Sequence, residues 1–350
     1  MDEVTLVSES FEKNGSGVSS NGLEFLTALK RYSTYKITAI STDIYLRKVK
    51  LTRRTLNKKI YFLLNKNTIK GKFVHAISPE AMPIKYLKLP KRKIVSLHDL
   101  YLFEPNYIKY LKEGNSYIKR VLSSRFLRYR QNYYKILEKY DAILSVSDLT
   151  KEKAVKFLGL PPEKIDVVNI NIINEKFKPY KIEKRNGAFI IGYINNYTWN
   201  KTEKLKTFIE KFKAVNDGAL KLNLYGKGFP YQNLIKDDKR IKYFGFLDEN
   251  KIVETYNSFD AYLSTSTVEG FGLPIMQAKA CNVPVLCYDG DLPSIVKRNT
   301  LVWDDANLSE IIKSRLWETV DVEKASKDAE KCRSDEIIPK IIKVYNKVFT

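Results

Sequence analysis

The sequence predicts an α/β fold made of two Rossmann-like halves, and three observations point to it. Short apolar strands alternate with helical patterns along the 350 residues, the arrangement of parallel sheets wound with crossover helices. The chain opens with a strand over 4–7, a glycine-bearing loop over 8–21, an apolar-periodic helix over 23–31 and a second strand over 36–40. The same order returns near the other end. A strand over 261–263 runs into a loop holding Gly270-Phe271-Gly272, then a helix opened by Pro274, then a strand over 283–287. The length suits two domains of ordinary size.

Composition narrows the class. At 44% hydrophobic and 29% charged residues the chain is globular and not disordered. It has no run of about 18 apolar residues, so no transmembrane helix is expected. The acidic start, MDEVTLVSES, shows no signal peptide. Cys281, Cys287 and Cys332 form neither metal spacing nor a disulfide framework, so a reducing, cytoplasmic setting is expected. The net charge of +21 is uneven. Residues 1–182 hold 35 Lys/Arg against 17 Asp/Glu, and residues 183–350 hold 26 against 23. The first half therefore suits an anionic partner: a membrane surface, a lipid pyrophosphate or nucleic acid.

In the first half, Gly15 and Gly17 lie in the opening loop, but their spacing is not the dinucleotide fingerprint. Residues 45–73 carry ten Lys/Arg and no acidic residue around Tyr61-Phe62-Leu63-Leu64, a composition suited to a helix lying on an anionic membrane. Strands are expected over 72–77 and 94–97, the second ending in His98-Asp99-Leu100. His98 stands at a strand's carboxyl end, where such folds place ligand-facing groups. Asp99 is placed to orient its ring, and His75 is read as structural. Residues 107–140 are helical by period, with tyrosines interleaved among Lys and Arg, which suits a lipid interface or nucleic acid. A strand over 142–145, a helix capped at 147–150 and a strand over 165–168 complete the half, and a linker is expected over 179–186.

The second half opens with a strand over 189–194, followed by a helix over 203–215, a strand over 220–225 entering Gly226-Lys227-Gly228, a strand over 241–244 leading to Gly245-Phe246-Leu247, and a helix over 248–257. The loop over 264–273 is the centre of the chain. Gly270 and Gly272 let backbone N–H groups approach a ligand closely. The helix behind them offers unpaired N–H groups and a positive dipole end to a phosphate or sugar oxygen. Glu269 is the loop's one carboxylate, and Gln277 lies about two helical turns further on. Asp289-Gly290-Asp291 spells a D-x-D but sits in loop context, so no metal site is assigned. A final apolar-periodic helix is expected over 336–349.

Glu269-Gly270-Phe271-Gly272-Leu273-Pro274 with Gln277 resembles the EGFGLP…E signature of the retaining GT-B glycosyltransferases of family 4. The resemblance implies a GT-B fold: two Rossmann-like domains with a cleft between them. It places an acceptor-binding domain over 1–182, a nucleotide-sugar-binding domain over 183–335, and a last helix over 336–350 crossing back to the first domain. It implies transfer from a UDP- or GDP-linked sugar with retention of configuration, without a cofactor or metal. Glu269 would hold the donor sugar and Lys201 the departing diphosphate. His98 would sit by the acceptor, and Gly15 and Gly17 near the donor phosphates. Gly226, Lys227, Phe246, Gly270, Phe271, Gly272, Leu273 and Gln277 would line the nucleotide-sugar site. Two positions depart from the pattern: Gln277 stands where the family has a ribose-binding Glu, and Asn196 where it has a phosphate-binding Arg. The acceptor classes implied are a lipid-linked sugar, a glycolipid or a glycan on an anionic membrane surface. A nucleic-acid-modifying glucosyltransferase and a catalytically degenerate binding protein remain open alternatives.

Overall fold

The structure, a computed structural model, describes residues 3–11, 17–41, 73–81, 92–112, 127–128, 131–132, 134–182 and 187–349. Gly15, nearly all of the basic stretch over 45–73 and much of the helical pattern over 107–140 lie outside them. The chain divides into two compact units, Met1–Ile172 with Ser334–Thr350, and Ile173–Arg333.

In the first unit the described elements are β1 (Glu3–Ser8), α1 (Gly17–Tyr32), β2 (Lys36–Ser41), β3 (Phe73–Ala76), β4 (Arg92–Leu97), α2 (Pro105–Lys112), β5 (Ala142–Ser145), α3 (Asp148–Leu158) and β6 (Ile165–Val167). The strands form one parallel sheet in the order β2-β1-β3-β4-β5-β6. Every residue of β3 and β5 is buried, which is why these strands are mostly apolar and do not alternate, with His75 and Ser145 as their buried polar members. Helix α3 has both of its ends specified locally. Ser147 accepts from the Thr150 N–H at the start, and Gly159 closes the helix in the left-handed region at φ 64°.

The helix Ser334–Phe349 belongs to this unit. Its apolar face (Ile337, Ile338, Ile341 and Tyr345) is buried. The Tyr345 ring meets Phe73 edge-on at 4.9 Å, and its hydroxyl lies 2.7 Å from His75 Nδ1. The other ring nitrogen of His75 lies 2.8 Å from Ser96 Oγ. Burial, with a smaller repulsion from His98, pushes His75 down to about 3, so the ring is neutral and structural at neutral pH.

The second unit holds β7 (Phe189–Ile194), α4 (Trp199–Ala214), β8 (Leu220–Tyr225), β9 (Ile241–Tyr243), α5 (Ile252–Asn257), β10 (Ala261–Ser264), α6 (Leu273–Ala280), β11 (Val285–Tyr288), α7 (Ser294–Lys297), β12 (Leu301–Trp303), α8 (Leu308–Lys313) and α9 (Val322–Glu330). Its sheet is parallel throughout, in the order β12-β11-β10-β7-β8-β9. The direction of winding reverses between β7 and β10, and such folds bind ligands beyond the carboxyl ends of the strands at that point. Phe208, Phe212, Trp303 and Trp317 fill the core. Arg240 closes α4 by donating to the carbonyls of Phe212, Lys213 and Val215 while its fork is held by Asp238.

Several elements differ in extent from the sequence reading. The helix expected over 23–31 spans Gly17–Tyr32, so Gly17 is its first residue and not part of the preceding loop. The helix expected from 203 begins at Trp199, which places Lys201 inside its first turn. The polar run Asn195-Asn196-Tyr197-Thr198 has no helical period, so nothing in it announces this start. The helix expected over 248–257 forms only over Ile252–Asn257, because Asp248 and Glu249 spend their carbonyls on a turn to Lys251 and Ile252. The strand expected over 283–287 is Val285–Tyr288.

Candidate active site

The loop after β10 is fastened to the start of α4 by a set of hydrogen bonds, among them one from Thr267 Oγ1 to the Asn200 carbonyl at 3.1 Å. Thr265 Oγ1 donates to the Lys201 carbonyl at 2.9 Å, the Thr267 N–H donates to the Asn200 carbonyl at 2.8 Å, and Asn200 Nδ2 donates to the Val268 carbonyl at 2.8 Å. This places Lys201 Nζ 3.0 Å from Glu269 Oε1, with the two side chains only 12% and 11% exposed. Glu269 Oε1 also accepts from Ser266 Oγ at 2.8 Å, and Lys201 Nζ donates to Asn195 Oδ1 at 2.8 Å. An ion pair so withdrawn from water interacts more strongly than a surface pair, and removing either partner leaves the other charge poorly matched.

A second strip of backbone supports the loop from behind. The Glu269 N–H donates to the Asp291 carbonyl at 3.2 Å, and the Asp291 N–H donates to Thr267 at 2.9 Å, a short parallel bridge. Gly290 makes this approach possible, since a Cβ there would lie 2.6 Å from the Ser266 carbonyl oxygen and 2.7 Å from that of Thr267. Asp289 pairs with Lys297. The D-x-D spelling thus corresponds to a strip of backbone that holds the Glu269 loop in place.

Gly272, at φ 90°, starts α6 in a conformation costly for any other residue. The loop residues Gly270 and Phe271 are buried, and Leu273 is the first residue of the helix. At the start of α6 Pro274 has no N–H, and the Ile275 and Met276 N–H groups donate to the Gly272 carbonyl at 3.1 and 3.3 Å, so the helix presents its positive dipole end to an anion or a sugar oxygen more than a row of free donors. Gln277 accepts from the hydroxyl of fully buried Tyr256 at 3.2 Å.

The ends of β7, β8 and β9 meet at Gly226. Its φ is 133°, and a Cβ would fall 1.8 Å from the Asn195 carbonyl oxygen. The Gly226 N–H donates to the Gly245 carbonyl at 2.8 Å, and Tyr243 Oη donates to the Gly226 carbonyl at 2.7 Å. The next residue, Lys227, holds its ammonium 4.4 Å from the ring centre of Phe246, which is 66% exposed. Asn195 is the hinge of the arrangement, because its backbone meets Gly226 and its side chain holds Lys201. Glu269, Lys201 and Gly226 are therefore connected through named contacts, and Lys227 with Phe246 forms a separate pair beside them.

In the first unit, His98 follows β4. Its Nε2 lies 2.8 Å from the Ile77 carbonyl oxygen, and the ring also bonds the Asn171 side chain. Asn171 Oδ1 in turn accepts from Asn21 Nδ2 at 2.6 Å. Burial lowers the His98 pKa, and the Ile77 carbonyl, the Glu80 charge and the Asn171 bond oppose it in that order. Asp99 accepts from the Tyr101 N–H at 3.3 Å, a turn contact. Gly17 opens α1. Asn21, Asn171, Asn195, Asn200 and Ser266 were not singled out from the sequence. Asn195 and Ser266 are short polar residues just after strands, which is a local signal, whereas Asn21 and Asn200 lie inside helices and Asn171 lies four residues past β6.

The two units each carry a parallel, doubly wound sheet, and their combination is the GT-B fold. Sucrose-phosphate synthase from Thermosynechococcus elongatus matches over 100% of this chain and 99% of its own, with a TM-score of 0.75 at 13% identity. Anabaena HepE, in complex with UDP and glucose, matches over 99% of this chain and 100% of its own, with a TM-score of 0.70 at 13% identity. Residues 188–316, which carry Lys201, Glu269 and Gln277, match the family described as Glycosyl transferases group 1. The phosphatidylinositol N-acetylglucosaminyltransferase GPI3 subunit of Saccharomyces cerevisiae is 23% identical over 192 residues, 51% of this chain. The chain spans 42% of that relative's length.

Proposed function

We propose that the protein is a glycosyltransferase that moves a hexosyl group from a UDP- or GDP-linked sugar to an acceptor, with retention of configuration and without a divalent metal. The observation that carries this is the shielded Lys201–Glu269 pair beside the start of α6, at the switch point of a doubly wound sheet. In this reading Glu269 accepts hydrogen bonds from donor sugar hydroxyls. Lys201 and the positive end of the α6 dipole meet the charge that grows on the leaving diphosphate. Gln277 accepts and donates at the ribose without adding charge. The leaving phosphate takes the acceptor's proton, so Glu269 is not required as a base. His98, which burial keeps neutral, is the acceptor-side group in this reading.

Binding of the donor is tested by thermal unfolding of the protein with UDP, GDP, ADP and their common sugar conjugates, each with and without EDTA. One base is expected to raise the midpoint in both conditions, since a ligand at 100 times its Kd adds about 2.7 kcal/mol to the folded state. No shift with any nucleotide would exclude the donor site and favour a binding protein without transferase activity.

The acceptor proposed is a lipid-linked sugar or glycolipid at the cytoplasmic face of an anionic membrane. Two facts support it: the concentration of positive charge in residues 1–182, and a relative whose name specifies phosphatidylinositol. Among the described residues no helix is long and apolar enough to cross a membrane. The protein is expected to float with phosphatidylserine vesicles at low salt and to be released as salt rises. Binding to duplex DNA with a steep salt dependence, and none to vesicles, would shift the acceptor to nucleic acid.

A further inference from the structure

Helix α6, which begins at the glycine loop, buries Ile275, Met276, Ala278 and Ala280. Lys279 lies in the same row with its side chain 0% exposed. Lysine is almost never fully buried unless it is paired, so the position calls for a physical reason. The side chain reaches α7. Its Nζ donates to the carbonyl of Ile295 at 3.1 Å and to the carbonyl of Arg298. Short helices such as α7 leave their last carbonyls without partners, and a cation there satisfies them. The opposing charge is Asp328 of α9, whose carboxylate lies 4.0 Å from Lys279 Nζ. Asp328 is bound more closely by the Arg298 fork, Asn299 Nδ2 and Lys331 Nζ, so it is matched without Lys279.

The segment that Lys279 holds is the one that backs the active-site loop. At one end, the Asp291 carbonyl receives the Glu269 N–H. In its middle, fully buried Val296 presses against Gly272, with Cγ1 3.1 Å from where a Cβ on that glycine would stand. At its far end, the carbonyls of Ile295 and Arg298 rest on Lys279. The contact is reciprocal, since α6 starts at Gly272 and reaches back through Lys279 to the segment that packs on its own first turn.

We propose that Lys279 is a positioning residue for the nucleotide-sugar loop, acting through the segment Asp291–Arg298 on Glu269 and Gly272. It touches neither donor nor acceptor. The inference rests on the donor reading above. Burial pushes the Lys279 ammonium down to about 8, against the pull of Asp328, so it is still largely charged at neutral pH when it meets the two carbonyls.

The test uses the full chain and the nucleotide that stabilises the wild type. Lys279→Met keeps the length of the side chain and removes its donors, while Asp328 keeps Arg298 and Lys331. Backbone amide exchange over 289–298, corrected for intrinsic rates, is expected to rise about tenfold, because this segment then opens on its own. Nucleotide Kd, and donor KM, are expected to rise about tenfold, with kcat changed much less. Lys279→Gln keeps an N–H donor and is expected to recover part of both effects; it gives the same reading if the Met variant does not fold. Unchanged exchange overturns the proposal. So does faster exchange with unchanged nucleotide Kd, which would make Lys279 a fold residue only, and so does equal loss in the Met and Gln variants. If the wild type binds no nucleotide, the donor reading itself fails and takes this role with it. If the wild type binds and the variants bind equally, only the role of Lys279 fails.

Discussion

Replacing Glu269 by alanine is expected to lower sugar transfer by about 10²–10³-fold, the usual cost of removing one preorganised polar group that faces the reacting centre. The reasons are specific to its contacts. Its Oε1 joins Ser266 Oγ and Lys201 Nζ, so the variant loses the carboxylate for the sugar and also the group that aims the lysine. Lys201 keeps Asn195 Oδ1, and the loop keeps its backbone bonds to Asn200 and Asp291. The fold should therefore survive, with stability reduced by the mismatched lysine alone. Glu269→Gln separates the two losses. It retains an oxygen for Lys201 but no charge, and it is expected to stay nearly as inactive while unfolding closer to wild type. The check is initial-rate transfer beside circular dichroism and a denaturant curve on the same samples. Wild-type turnover in a folded alanine variant would remove Glu269 from the site.

Gly226→Ala is expected to destabilise the second unit by about 2–4 kcal/mol, combining an unfavourable backbone conformation with overpacking. A Cβ at φ 133° is strained whatever the surrounding space, and here it would also meet the Asn195 carbonyl oxygen at 1.8 Å. That oxygen belongs to backbone and has no rotamer to yield. Relief requires the β7 and β8 ends to separate, which moves Asn195 and with it the acceptor that holds Lys201. Loss of stability and loss of nucleotide affinity should therefore appear together. Gly228→Ala is the control: its φ is also positive, at 80°, but nothing lies within 4 Å of its Cβ, so it should cost only the backbone term. Equal urea midpoints for the two variants would show that the Asn195 contact has no energetic weight.

These two residues illustrate how the sequence relates to the structure. Glu269 and Gly226 were both legible as candidates, because a carboxylate in a glycine loop and a glycine after a strand are local patterns. The two-unit α/β fold was legible for the same reason: strand runs such as 142–144 are apolar, and helices carry their own caps, as Ser147 and Gly159 do for α3. Gln277 was read as a ribose contact, and its bond to Tyr256 was not visible, since the two lie 21 residues apart. Asp289-Gly290-Asp291 was spelled out in the sequence, but its use as a backing strip depends on Ser266 and Thr267, more than twenty positions away. Nothing local in the sequence distinguishes Lys279 from the other lysines of this basic chain.

The order of the elements, the loop chemistry and the imbalance of charge are local properties, because they follow from neighbours within a few residues, where period, φ preference and composition act. Which polar group serves which is settled by the packing of distant segments. The order β12-β11-β10-β7-β8-β9 sets β7 beside β10 and so joins Lys201 to Glu269 across 68 residues. The same packing removes Lys279 from water and turns it towards two carbonyls. Pairing of this kind depends on desolvation and on distances of about 3 Å between chain segments remote in sequence, and neither quantity is a property of any local stretch.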